Sequence, residues 1–308
     1  MSLARSLLIR ASRSRFLATQ LRQRAFLRRA VRRFLPGEEL DAALGAAAAL
    51  ARTGIGAVLT QLGEQVRTHT DAQAVRDHYL GVLDRVRGLG LDAQLSVKLT
   101  HLGLDADRET CALALLALAR RARDTGSFLW IDMEESRYVD ATLELFRRTR
   151  DAASNVGVCL QAYLRRTATD LDTLAPFAPA IRLVKGAYNE PPAVAFPKKR
   201  DVDANYLLLA DRLLEAAERG EGNPAFGTHD LRLVRDIRDR AAMLGLERDA
   251  YEVHMLYGIR SAEQRALAAD GCVVRVLVSY GSAWFPWYMR RLAERPANVW
   301  FVVRSLVG

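Results

Sequence analysis

Lysine is nearly absent: of the 45 basic residues only Lys98, Lys185, Lys198 and Lys199 are not arginine. Arginine meets the generic need for positive charge here, so a lysine at a structured position is unusually informative. Cysteine is also scarce. Cys111, Cys159 and Cys272 are odd in number, widely spaced and without a CxxC pair, which argues against a disulfide framework or a zinc knuckle and fits a reducing compartment. No run of 18 apolar residues occurs, and Ala42 to Ala51 is too short to span a bilayer. A phosphate-cradling GxxxxGK[ST] loop is missing. Gly54 to Gly56 precedes the first expected strand instead of following it, so no GxGxxG fingerprint stands in the context a dinucleotide fold requires. After that strand come Thr60, Gln61 and Leu62 in place of an HxH pair, and no Ser-His-Asp set is legible. No metal is expected.

Acidic residues are missing from one region. Residues 1–33 hold ten arginines and no Asp or Glu, so taking ten from the net charge of +9 leaves −1 for the rest. A nearly neutral body lacks the basic, aromatic-studded surface of a nucleic-acid binder, and no nucleic-acid partner is expected. Leu7, Leu8, Ile9, Phe16, Leu17, Leu21, Phe26, Leu27, Val31, Phe34 and Leu35 recur among those arginines at roughly three- and four-residue intervals. Residues 1–34 therefore read as an amphipathic basic helix suited to anionic lipid, with a cleaved targeting segment as the alternative. Pro36-Gly37 breaks this pattern before an Ala-rich helix over 38–52. The division expected is residues 1–53 as N-terminal basic and Ala-rich helices and 54–308 as the catalytic body.

From Ile55 onward, short runs of Val, Ile and Leu alternate with helix-length segments of 3.6-residue periodicity. Strands are expected near 56–61, 93–98, 127–132, 156–161, 181–185, 224–228, 251–256 and 273–278, with helices such as 71–88, 106–123, 139–153, 202–219 and 231–244 between them. Eight alternations predict an α/β fold, a (β/α)8 TIM-like barrel with extra N-terminal helices. In such barrels chemistry sits where the strands end. Lys98, Asp132, Gln161, Lys185-Gly186-Ala187-Tyr188, Thr228-His229 and Leu256-Tyr257 end successive strands, with Arg182 inside the fifth and Glu134-Glu135 behind the third. The eighth strand leads to Arg290 and Arg291, about 100° apart on a helix, whose planar forks suit a carboxylate. Tyr288, Glu294, Trp284, Phe285 and Trp287 share that turn. Asp132 beside Lys98 is expected as an ion pair, whereas His69, His78 and His101 read as ordinary residues. A small amino or imino acid is the natural guest. A Schiff-base aldolase using Lys185 or Lys98 is the alternative.

These residues lie in motifs that resemble one family. SVKL (96–99), IDMEES (131–136), LQAYLRR (160–166), IRLVKGAY (181–188), GTHD (227–230) and YMRRLAERP (288–296) are similar, in order, to the flavin-dependent, monofunctional proline dehydrogenases. The resemblance implies FAD held across the strand ends and oxidation of L-proline to Δ1-pyrroline-5-carboxylate, by hydride transfer to the flavin. It implies that Arg290, Arg291 and Lys98 bind the carboxylate, that Tyr188, Tyr257 and Tyr288 wall the substrate, and that Asp132 pairs with Lys98. Arg182 would meet the isoalloxazine near its reactive nitrogen. Met133, Gln161, Val184, Lys185, Gly186, Ala187, Thr228, His229 and Leu256 would line the cofactor, and Glu64 would gate Arg290. A membrane quinone as acceptor, a separate pyrroline-5-carboxylate dehydrogenase downstream and a cytoplasmic, peripheral-membrane or, in a eukaryote, mitochondrial location follow from the same resemblance. Related cyclic imino acids such as hydroxyproline are the alternative substrates. The sequence departs from the family where Leu277 and Ser279 replace a substrate-covering tyrosine and a turn proline, which bears on affinity and ring preference.

Overall fold

The computed structural model describes residues 33–285. Arg290, Arg291, Tyr288, Trp287, Glu294 and residues 1–32 of the basic segment lie outside the described residues. Eight parallel strands close in sequence order into a barrel: β1 (Gly56–Gln61), β2 (Ala93–Val97), β3 (Leu129–Ile131), β4 (Val156–Gln161), β5 (Ala180–Val184), β6 (Asn223–Gly227), β7 (Glu252–Leu256) and β8 (Val273–Tyr280). The expected α/β barrel is borne out, with strand ends differing by a residue or two. β3 is the shortest, at three residues.

The strands are buried on both faces, as parallel strands covered by helices must be, and so read as continuous apolar runs. The described helices are α1 (Leu40–Ala51), α2 (His69–Gly88), α3 (Arg108–Asp124), α4 (Val139–Ala152), α5 (Thr167–Leu174), α6 (Lys199–Glu218), α7 (Leu231–Met243) and α8 (Ser261–Ala269). Side chains placed where the backbone N–H groups lack partners start three of them. Thr68 accepts from Asp71 N, Asp107 from Thr110 N and Asp230 from Arg232 N. Asp230, next to the strand-end His229, thus supplies the cap of α7. The short α5 and α8 escape a periodicity reading because eight or nine residues show barely two turns.

Two cores result. The larger lies between strands and helices and includes the alanine face of α1, which packs outside β1 and β8. The smaller fills the barrel itself, where Val58, Trp130, Ala180 and Ala225 meet Phe128 and Leu277. Three of these six interior side chains, Val58, Ala180 and Ala225, are small, so polar groups also occupy the barrel axis.

Candidate active site

The C-terminal ends of β1 to β8 gather the residues singled out from the sequence. Period-two alternation turns Ser96 and Lys98 to one face of β2 and its extension, and Trp130 and Asp132 to one face of β3. Arg182, in the middle of β5, is buried among them at 4% exposure. Its Nη2 donates to Ser96 Oγ at 2.6 Å and to the Asp132 carboxylate, and Ser96 Oγ donates to Asp132 at 2.8 Å. The Cys159 thiol lies beside the same guanidinium; burial raises its pKa and the arginine partly offsets this. Arg182 also stands over the Trp130 ring, 5.1 Å from its centroid.

This geometry corrects one expectation. Asp132 pairs with Arg182, whereas Lys98 Nζ donates to Glu64 Oε1 at 2.9 Å. Lys98 follows the end of β2 and turns toward the loop after β1, while Asp132 turns inward to the buried arginine. Behind Lys98, Glu134 accepts from the backbone N and the hydroxyl of Thr100 at 3.0 and 2.6 Å, tying down the loop that carries the lysine. Burial raises the pKa of Glu134 against the opposing charge of Lys98. His101 is less ordinary than its sequence context implies. It is buried beside the Lys98–Glu64 pair, and a Cβ on Gly63 would fall 2.2 Å from its ring. Burial, reinforced by Lys98, pushes its pKa down to about 4.

On the far side of the rim Lys185 Nζ donates to Asp203 at 2.6 Å and to Asp230 at 3.2 Å, and Lys199 joins the same two carboxylates. Burial would raise both acids, but the Lys185 bonds outweigh it and hold them below the ordinary carboxylate range. Gly186 has φ +105°, and a Cβ there would lie 2.1 Å from the Tyr163 ring. Backbone conformation and close approach to Tyr163 therefore already require glycine. Gln161 Nε2 donates to the Met133 carbonyl at 3.2 Å. His229 Nε2 accepts from Leu256 N at 3.4 Å, and Thr228 Oγ1 from Asp230 N at 3.1 Å. Tyr257 is half-buried after β7, its N–H bonded to the Leu277 carbonyl. Val184 and Ala187 flank the Lys185-Gly186 turn. Sequence reasoning missed Ser96, Trp130, Asp203 and Asp230 as partners. Two-residue spacing from Lys98 and Asp132 was the available signal for the first two.

The barrel floor holds a second polar group. Arg275 donates to Glu252 and to Asp92, each at 2.7 Å, and Glu252 contacts His254 Nε2 at 2.7 Å. Burial opposes a carboxylate at Glu252, but the His254 bond and the Arg275 charge outweigh it and hold its pKa down to about 2. Burial lowers the pKa of His254. Among the described residues no group of three metal-ligating side chains occurs, and no helix is long and apolar enough to cross a membrane.

Fold and rim together define a (β/α)8-barrel enzyme with charged side chains gathered at the C-terminal strand ends. A family model described as proline dehydrogenase matches residues 43–304. The chain is 38% identical to the proline dehydrogenase of Deinococcus radiodurans over 280 residues, 89% of each chain. It is 35% identical to proline dehydrogenase 1 of Bacillus subtilis (strain 168) over 277 residues, 90% of each. Proline utilization A from Bdellovibrio bacteriovorus has the same fold, with a TM-score of 0.80 at 24% identity over 86% of this chain and 32% of that one. A variant of proline utilization A from Bradyrhizobium japonicum gives 0.73 at 25%, over 88% and 32%. The chain spans about a third of the length of those two solved chains. It belongs to the proline dehydrogenase family, oxidoreductases that act on the CH–NH bond of proline and are generally flavin-dependent.

Proposed function

We propose that the chain oxidises L-proline to Δ1-pyrroline-5-carboxylate with FAD bound across the barrel rim. The observation that carries this reading is Arg182, a buried cation at the barrel mouth whose protein bonds to oxygen run through one nitrogen. The donor set suits a flavin. Gln161 Oε1 is buried and has no hydrogen-bond partner among the described residues, an acceptor that the imide N–H of an isoalloxazine would satisfy. Met133, Val184, Lys185, Gly186, Ala187, Thr228, His229 and Leu256 would line it. When bound, the flavin supplies the two-electron acceptor for the C–H bond beside the ring nitrogen.

The chain's own contribution is binding and orientation. Lys98, with Arg290 and Arg291, would clamp the carboxylate, and Tyr257 and Tyr288 would wall the ring. Glu64 holds the Lys98 ammonium in place, and Glu134 holds its loop. Asp132 and Ser96 hold Arg182, whose charge would stabilise negative charge arriving beside it. No side chain at the rim stands out as a strong general base, so the amine sheds its proton with modest help. The aldolase reading loses ground on geometry, since Lys98 and Lys185 both sit in ion pairs with carboxylates, which favour the charged ammonium over the neutral amine a Schiff base needs. The test is an absorbance spectrum before and after anaerobic proline. Yellow protein that bleaches supports the reading; colourless protein overturns it.

Electron transfer to a membrane quinone fits the arginine-rich, apolar pattern of residues 1–34, which would bring the enzyme to anionic lipid. The pyrroline-5-carboxylate formed would pass to a separate dehydrogenase. Co-sedimentation with anionic vesicles, comparing the full chain with a variant starting at Glu38, tests the contact. Equal sedimentation would remove it.

A further inference from the structure

Among the described residues Trp130 is the one large aromatic whose ring lies under the rim arginine, and the neighbouring strand is shaped to it. It stands opposite Gly157 in the β3–β4 register, and a Cβ on Gly157 would lie 2.6 Å from the indole Cζ3. The neighbouring strand is therefore cleared to admit the ring. Trp130 Nε1 donates to Gln94 Oε1 at 2.6 Å, which fixes the ring's rotation. Phe128 packs with a centroid separation of 5.0 Å, and His254 meets the indole edge-on at 5.5 Å and 83°. The tryptophan is 2% exposed and held on several sides.

Above it sits the Arg182 guanidinium. Its bonds to Ser96 and Asp132 both leave from Nη2, so Nε and Nη1 have no oxygen partner of their own among the described residues. Hydrogen bonds to oxygen therefore restrain one end of the fork, and a surface packed on its face adds the restraint against tilting. The indole face, 5.1 Å from Cζ and sealed from water, is such a surface, and cation–π attraction is strongest when desolvated.

We propose that Trp130 is a positioning residue for the reaction: it sets the plane of the Arg182 guanidinium, and through that plane the strength with which Arg182 stabilises the reduced flavin. The assignment rests on the reading that places Arg182 against the flavin. Trp130 itself touches neither substrate nor cofactor. Its contribution is therefore read in the flavin's potential and reduction rate, while proline affinity stays unchanged.

The test uses the flavin-loaded enzyme and four variants: Trp130→Leu, Trp130→Phe, Gln94→Met, and Trp130→Leu combined with Arg182→Met, with Arg182→Met alone as reference. Trp130→Leu should weaken reduced-flavin stabilisation about tenfold, roughly 30 mV more negative for a two-electron couple. It should slow flavin reduction by a similar factor and leave KM within about twofold. Trp130→Phe keeps a π face and should recover most of the loss. Gln94→Met frees the indole without altering it and should give about a threefold effect. In the Arg182→Met background Trp130→Leu should shift nothing further. A full-sized shift persisting in that background, equal losses in the leucine and phenylalanine variants, or an unmoved potential in Gln94→Met would each overturn the assignment, the last even where the leucine variant does not fold. An unmoved potential in Arg182→Met alone would overturn the placement of that arginine against the flavin, and this assignment with it.

Discussion

The barrel holds an arginine at each end, Arg182 buried at the rim and Arg275 partly buried at the floor, and the two are treated differently. At the floor Arg275 is bracketed by Glu252 and Asp92, with Nε and Nη1 each given its own carboxylate and His254 completing the row. At the rim Arg182 has one carboxylate, and both its oxygen contacts leave from Nη2. A closed network stabilises the fold and leaves no charge to offer. An arginine held by one nitrogen keeps part of its fork and field for something else. Under the proposed function, the contrast separates a structural cation from a working one of the same chemical type.

The sharpest way to break the comparison is Arg275→Met. Removing the cation strands Glu252 beside His254 and should cost about 3 kcal/mol or more in denaturant melts, with KM unchanged per folded molecule. If the limiting rate falls with stability intact, the floor is functional too. Arg182→Met should do the reverse. We expect flavin reduction to slow about a hundredfold, the typical loss when one preorganised donor to developing charge is removed, while proline analogues still bind. Stopped-flow reduction and inhibitor titration separate these outcomes.

A third test uses pH. His101 has its pKa lowered from 6.5 to about 4, so the unfolded chain binds its proton first. Its contribution is fully present above about 6.5, declines as pH falls toward 4 and is flat below that. His101→Gln should flatten the stability slope in that window, by about 2 kcal/mol across it after allowance for residual solvent. An unaltered slope would mean the ring titrates normally. The smallest effect is expected from Leu277→Tyr. Leu277 packs against the interior cluster containing Trp130, and introducing the tyrosine that the resemblance implies there should change KM for proline by no more than about tenfold, with hydroxyproline as the comparison substrate.

How much of this the sequence discloses follows from the range of the interactions. Period-two and period-3.6 patterns are local, so eight strands and the long helices were legible from composition and spacing. The strand-end rule then placed Lys98, Asp132, Gln161 and Lys185 at one rim, with Arg182 inside the fifth strand. Pairing was not legible, because choosing between Lys98–Asp132 and Arg182–Asp132 requires knowing which carboxylate faces the axis. Glu64 reaches Lys98 across 34 residues of chain, and Arg275 reaches Asp92 across 183. Gly186 shows the same limit. The resemblance accounts for it only as a cofactor-lining position, whereas Tyr163 and a positive φ suffice to demand glycine there.

The seam where β8 meets β1 has a consequence in time. Six residue pairs, from Gly56 with Arg275 to Gln61 with Tyr280, join strands more than two hundred residues apart, and Glu38 accepts from Trp284 Nε1 at 2.8 Å beside them. During synthesis the first seven strands emerge while the ring is open, with the edges of β1 and β7 both unpaired. Such edges invite pairing with other chains, and closing so long a loop is slow. The clasp therefore makes the nascent chain most vulnerable to aggregation just before its last strand leaves the ribosome, and the barrel mouth, with Arg182 at its centre, is assembled only when that clasp shuts.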